Sequence, residues 1–237
     1  MTGSAAVGVL VPAAGLGVRL GAGRPKALRE LAGEPLLLHA VRGLRAAPSV
    51  GPVVVAAPVG EVGAVRALLA DLDVLVVAGG AERQDSVRLA LAALPAAVGL
   101  VLVHDAARCL TPVAVVEAVV AALRAGADAV VPVLPVADTV KQVEGAQVVA
   151  TVDRAALRAV QTPQGFRREI LEKAHASGTT ALSDDAGLVE ALGVTVTTVP
   201  GADEAFKITR PLDLLLAEAL LAMTGPGSRH GAGRHAR

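Results

Sequence analysis

The sequence predicts an α/β fold: three layers, α/β/α, around a mostly parallel sheet with a protruding β-hairpin arm. Three observations carry that prediction. Short, continuous apolar runs alternate with helical segments along most of the chain. The stretch 136–152 breaks this rhythm with two extended, largely polar runs about a glycine turn. A glycine-rich loop follows the first apolar run directly, where open Rossmann-like sheets hold their ligands.

A parallel strand covered on both faces reads as an unbroken apolar run. Ala6 to Pro12 is the first, followed by Val50 to Ala57, Val74 to Ala78, Gly99 to His104 and Ala129 to Val133. Between them Glu34 to Arg45, Glu61 to Ala70, Glu82 to Leu94 and Pro112 to Ala125 read as helices. Thr139 to Val143 and Gln147 to Thr151, around Gly145, make the hairpin. Helices are expected again near Arg167 and Ser183, then a strand at Thr195 to Val199 and a closing helix at Pro211 to Ala222. The chain thus divides into one domain, 1–224, and a Gly-, Arg- and His-rich tail, 225–237, expected to be disordered. The hairpin has little apolar mass to bury by itself, and an isolated hairpin is marginal in water. It is expected to pack on a second subunit, giving a homodimer.

Composition excludes several classes. Lys plus Arg and Asp plus Glu number 22 each in 237 residues, so no basic excess marks a nucleic-acid footprint. No apolar run reaches the length of a membrane span, and no basic-then-apolar leader opens the chain. Cys109 is the single cysteine, which excludes an intrachain disulfide and makes the cytoplasm the expected compartment. Phe166 and Phe206 are the only aromatic residues, so the core must be aliphatic and no site can rest on Trp or Tyr stacking.

The loop runs Pro12-Ala13-Ala14-Gly15-Leu16-Gly17-Val18-Arg19-Leu20-Gly21-Ala22-Gly23-Arg24-Pro25-Lys26. Small residues let backbone N–H groups approach a ligand. A P-loop is excluded, because no Gly-Lys is followed by Ser or Thr. A dinucleotide loop is excluded too, because Arg24-Pro25 keeps the chain extended where a helix should open. What remains is either a glycine loop whose two separated cations, Arg19 and Lys26, suit a triphosphate on which charge develops during transfer, or a flexible loop with solvated basic residues.

Later segments sharpen the picture: Gly79-Gly80-Ala81-Glu82-Arg83-Gln84-Asp85-Ser86-Val87, Val103-His104-Asp105-Ala106-Ala107-Arg108, Thr151-Val152-Asp153-Arg154, Gln161-Thr162-Pro163-Gln164 and Phe206-Lys207-Ile208-Thr209-Arg210-Pro211. In this order and spacing the sequence resembles the 2-C-methyl-D-erythritol 4-phosphate cytidylyltransferases, within the sugar-nucleotidyltransferase group. The resemblance runs from about Val7 to Leu221. Some positions depart from it. The family often has proline at Cys109, glutamine at Ala27, asparagine at Ala205 and an acidic residue at Ala81.

The resemblance implies attack by the phosphate of methylerythritol phosphate on the α-phosphorus of CTP, with release of pyrophosphate. It implies that Arg19 and Lys26 stabilise the transition state, and that Ala13, Ala14, Gly15, Gly80 and Ser86 bind the nucleotide. Asp105 either holds the ribose or sits near Mg²⁺, which takes few protein carboxylates beside phosphate and water. Thr139, Arg154 and Lys207 would position the acceptor, the first two from an arm exchanged between subunits. Thr162 either belongs to the acceptor site or simply forms a turn. His104 and Cys109 read as packed residues, not catalysts. Two rival readings share these motifs: transfer to ribitol 5-phosphate, and a non-catalytic nucleotide-binding protein.

Overall fold

The structure, a computed structural model, describes residues 6–15, 25–177 and 184–224. Arg19 and the expected tail at 225–237 lie outside them. In chain order the elements are β1 (Ala6–Pro12), β2 (Glu30–Leu31), β3 (Glu34–Pro35), α1 (Leu36–Arg45), β4 (Val50–Ala57), α2 (Val62–Leu68), β5 (Leu75–Ala78), α3 (Arg83–Ala92), β6 (Val98–Val103), α4 (Val113–Arg124), β7 (Ala129–Pro135), β8 (Val140–Glu144), β9 (Gln147–Val152), β10 (Arg158–Val160), β11 (Gln164–Arg167), α5 (Arg168–Ala176), α6 (Asp185–Glu190), β12 (Val196–Pro200) and α7 (Pro211–Thr224).

β1 lies inside the sheet, parallel to β4 on one side and β6 on the other. β5 extends the sheet beyond β4, and β12 runs parallel to β7. Two strands run the other way. β11 is antiparallel between β6 and β7, and β10 pairs antiparallel with the far end of β7. The sheet is therefore mostly parallel, as expected, with an antiparallel insertion that the apolar pattern did not reveal. The inserted segment is short and carries Gln161, Thr162 and Gln164, three polar side chains that read as a turn. All three are buried.

Alternation along the strands builds the three layers. Val7, Val9 and Val11 of β1 face one side, with Leu37, Val41 and Leu44 of α1, Val65 of α2 and Val116 to Leu123 of α4. Leu10, Val54 and Val101 face the other, with Val87 and Leu91 of α3, Leu171 of α5 and Leu188 and Val189 of α6. A smaller cluster joins Leu31, Leu36, Ala40, Cys109 and Ile208 to Ala217 of α7. The core is aliphatic except for Phe166 on β11, which is fully buried.

β8 and β9 form a separate two-stranded sheet, the expected arm. Gly145, at φ +59°, takes the first position of its two-residue connection, where a left-handed backbone favours glycine. Val143, Val148 and Val149 are exposed along it. The described residues contain no helix long and apolar enough to cross a membrane.

Phe166 is fully buried in the cluster that holds Val101, Leu171, Leu188 and Val189, so truncation leaves a cavity there. Phe166→Ala is expected to lower unfolding stability by about 3–5 kcal/mol, read as a drop in the urea midpoint at unchanged slope.

Candidate active site

The carboxyl ends of β1, β5 and β6 open into one cleft. Past β1, Ala13 donates its N–H to Ala56 at 2.8 Å, and Lys26 donates its N–H to Gly15 at 3.3 Å. Past β5, Gly79 donates to Ala57 at 2.7 Å. Space here admits only glycine: a Cβ at Gly79 would lie 2.6 Å from that of Ala14, and one at Gly80 would lie 2.2 Å from that of Asp85. The Ser86 hydroxyl accepts from the Gly80 N–H at 3.1 Å and donates to the Glu82 carbonyl at 3.2 Å. Glu82 and Asp85 close the start of α3 as a capping box. Ser86 thus shapes the glycine turn from within.

Past β6, His104 keeps the strand going by donating its N–H to Leu10 at 2.9 Å. The next residue, Asp105, carries the main charge of the cleft. Its backbone N–H donates to Thr162 Oγ1 at 3.0 Å. Its Oδ1 accepts from Arg83 Nε at 3.3 Å, and its Oδ2 from Lys207 Nζ at 2.7 Å. Burial pushes the Asp105 carboxyl up, but the charges of Arg83, Lys207 and Arg108 outweigh it and hold the group well below the usual carboxylate range. Lys207 is carried in by its neighbour: Ile208 is buried and donates its N–H to Ala107 at 2.8 Å.

Arg83 reaches past Asp105. Its Nη1 donates to Asp185 Oδ2 at 2.7 Å, and Asp185 Oδ1 lies 2.9 Å from His175 Nε2. Asp185 is wholly buried, yet His175 and Arg83 depress its pKa against that burial. An ionised carboxylate only accepts, so His175 Nε2 carries the hydrogen of this bond.

Thr162 sits beneath the cleft, its Oγ1 also 3.1 Å from His104 Nδ1. Burial drives the pKa of His104 down to about 4. Cys109 packs in the third cluster, its thiol pushed up to about 12 by burial. Neither residue lines the cleft, in line with their expected packing roles.

Ala13, Ala14, Gly15, Lys26, Gly80, Ser86, Asp105 and Lys207 all line the cleft, together with Arg83. Arg83 stands inside one of the sequence motifs, but nothing in the motif singles it out. Sequence reasoning missed Asp185 and His175 altogether, and no local pattern marks them, because Arg83 lies far off in sequence from both. Thr139 and Arg154 do not line this cleft. The Arg154 guanidinium donates to the Ala137 carbonyl at the base of its own arm. Arg19 lies outside the described residues. No cluster of three or more His, Cys, Asp or Glu suited to a metal occurs among the described residues. The donor set therefore fits a divalent cation only as Mg²⁺ is commonly held, by one carboxylate with the rest from phosphate and water.

Glycine-shaped turns and cations around a carboxylate, at the carboxyl edge of a parallel sheet, make a site suited to phosphate chemistry of the kind a nucleotidyltransferase performs. The comparisons with known proteins narrow this class. Residues 7–223 match the family model for 2-C-methyl-D-erythritol 4-phosphate cytidylyltransferase. The chain is 60% identical over 221 residues to the protein of that name from Frankia casuarinae, covering 93% of this chain and 83% of the relative. It is 58% identical over 226 residues to the one from Streptomyces coelicolor, covering 90% and 84%. The crystal structure of the Thermus thermophilus protein of the same name superposes with a TM-score of 0.75 at 41% identity, over 90% of this chain and 98% of that one. This chain belongs to the 2-C-methyl-D-erythritol 4-phosphate cytidylyltransferase family.

His104 supplies a pH signature of the site's floor. Its folded pKa is depressed, so the stability it contributes is present above its unfolded pKa of 6.5 and is lost as pH falls toward about 4. From this group, the metal-free protein is expected to lose roughly 2 kcal/mol of unfolding stability between about pH 7.5 and about pH 5. Urea titrations at the two pH values measure the loss, and His104→Gln is expected to remove this part of it.

Proposed function

We propose that this chain transfers the CMP moiety of CTP to 2-C-methyl-D-erythritol 4-phosphate, forming 4-diphosphocytidyl-2-C-methyl-D-erythritol and pyrophosphate. The observation that carries the reading is Asp105 held between Arg83 and Lys207 at the cleft floor, in a chain of this family. A phosphate oxygen of the acceptor attacks the α-phosphorus of CTP. A new P–O bond forms, the bond to the β-phosphate breaks, and pyrophosphate leaves with the electron pair. The attacking phosphate is already ionised, so no strong general base is required. Positioning and charge neutralisation supply the catalysis.

Lys26, with Arg19 of the same glycine loop, is assigned to the charge that builds on the leaving pyrophosphate. Ala13, Ala14, Gly15 and Gly80 offer backbone groups to the nucleotide, and Ser86 fixes the turn that presents Gly80. Lys207 is assigned to the acceptor phosphate. Thr162 acts from below, through the backbone of Asp105. Asp105 is the carboxylate that would face Mg²⁺, which when bound neutralises charge on the CTP phosphates.

Thr139 and Arg154 are assigned to the acceptor side of a partner subunit's site, with the arm crossing over in a homodimer. Their absence from the cleft of their own chain supports this, as do the exposed valines of the arm. The unit that does this is the single domain 1–224, and the cytoplasm is its proposed compartment. Neither nucleic acid nor membrane is a proposed partner.

Pyrophosphate release by the purified protein with Mg²⁺ and CTP tests the reading. Release is expected with methylerythritol phosphate as acceptor, and release with ribitol 5-phosphate alone would move the acceptor assignment. Lys26→Ala is expected to lower turnover roughly 10²–10³-fold, the scale for one lost transition-state donor. Near-normal turnover would remove Lys26 from its role. Mixing Lys26→Ala chains with Arg154→Ala chains is expected to restore part of the activity, because one hybrid site regains both cations. No recovery would place each site within one chain.

A further inference from the structure

Two carboxylates share one guanidinium beside the cleft, and the second has no evident reason to be there. Asp105 faces the cleft, but Asp185 is wholly enclosed at the start of α6 and does not line it. Removing a charge this completely from water is costly unless partners satisfy it. Asp185 has them on both oxygens: Arg83 Nη1 at 2.7 Å on Oδ2 and His175 Nε2 at 2.9 Å on Oδ1. The carboxylate is also held from the sheet. Gln164 donates to the carboxylate of the adjoining Asp184 at 2.8 Å and accepts from the Ala186 N–H at 3.1 Å, gripping the residue on either side of Asp185.

The arrangement decides how Asp105 is divided. A guanidinium free to choose meets a carboxylate with two parallel bonds, taking both oxygens. Here Arg83 gives Asp105 only its Nε, at 3.3 Å on Oδ1, while Nη1, on the opposite side of the guanidinium, anchors the group to Asp185. Oδ2 is thereby left to Lys207, at 2.7 Å.

We propose that Asp185 is a positioning residue for the transfer site: by anchoring Nη1 of Arg83 it fixes the orientation of that guanidinium at a single bond to one oxygen of Asp105, leaves the other oxygen to Lys207, and is itself oriented by His175. This deepens the reading above and rests on it. Without Asp185 the guanidinium is free to turn its Nε and Nη2 edge onto both oxygens of Asp105, and Lys207 loses the partner that places its ammonium. The defect should then fall on the acceptor, which Lys207 serves, more than on CTP.

Steady-state pyrophosphate release, with each substrate varied in turn, tests this. Asp185→Asn removes the charge at constant shape. It is expected to lower kcat/KM for methylerythritol phosphate roughly tenfold or more, the range for losing an outer support of a site residue. KM for CTP should stay within about twofold. Combined with Arg83→Met, Asp185→Asn should add no further loss, because it acts only through Arg83. His175→Gln keeps a donor toward Asp185 and is expected to stay near the unmutated protein, whereas His175→Leu should reproduce the acceptor defect. Equal losses for both substrates, multiplying losses in the double variant, or a His175→Leu protein with full acceptor kcat/KM would each overturn the inference. No release from the unmutated protein would overturn the reading beneath it, and the inference with it.

Discussion

A carboxylate buried at the end of a strand has to be met by positive charge, and meeting it draws remote segments of this chain to one point. Asp105 receives Arg83 from the start of α3, Lys207 from the loop before α7, and the Thr162 hydroxyl from the bend between β10 and β11. Each contact fixes a different piece of the cleft wall. Arg83 is the first residue of α3, so its bond also sets where the Gly79-Gly80 turn ends. Lys207 is carried by a segment pinned through Ile208 to Ala107, the second residue after Asp105. The cleft is in this sense organised around one charge, with the parallel sheet as the rigid base on which that charge stands.

Thr162 belongs to a run whose polar residues all point inward and all connect elements. Gln161 exchanges two bonds with the backbone of Ala202, at 2.8 and 3.1 Å, and so fixes the loop that leads to Lys207. Thr162 holds Asp105, and Gln164 holds the start of α6, where Asp185 begins. Satisfied buried amides and hydroxyls of this kind specify geometry more than they add stability, since a lost partner leaves a polar group stranded in the interior. Arg108 works alike, donating to the carbonyls of Ala205 and Val160 at 2.8 and 3.1 Å. Because it uses the carbonyl of Ala205, alanine at a position where the family often has asparagine leaves that bond intact.

The parallel strands were legible because both of their faces are covered, which makes them apolar throughout. Val50 to Ala57 could be read to the residue. β10 and β11 were not legible, because each is only three or four residues long and the polar side chains at Gln161, Thr162 and Gln164 resemble those of a turn. The helix read from Glu34 begins at Leu36, since Glu34 and Pro35 pair back onto Glu30 and Leu31. Of the site, the residues within compact motifs were legible: the small residues after β1, the glycine pair, Asp105 and Lys207. Arg83 was visible within a motif but its role was not, because that role comes from Asp185, 102 positions away. His175 had no signal at all. Its neighbours on α5 are ordinary helix residues, and only the packing of α5 against α6 brings its ring to a carboxylate.

Two of the cleft's cations are already engaged before any ligand arrives. Lys207 is bonded to Asp105, and Arg83 to both Asp105 and Asp185. A phosphate group arriving beside them does not meet bare charges. It competes with carboxylates for cations that are already paired and aimed. The ligand then gains less from raw attraction than it would from unpaired cations, but little reorientation is needed once it is bound. Preorganised charge of this kind favours the species in which new negative charge appears over the one in which charge is merely present. A chain whose formal charges cancel overall can in this way concentrate charge at one strand end without a basic surface, and the interior carboxylates are what make that concentration stable.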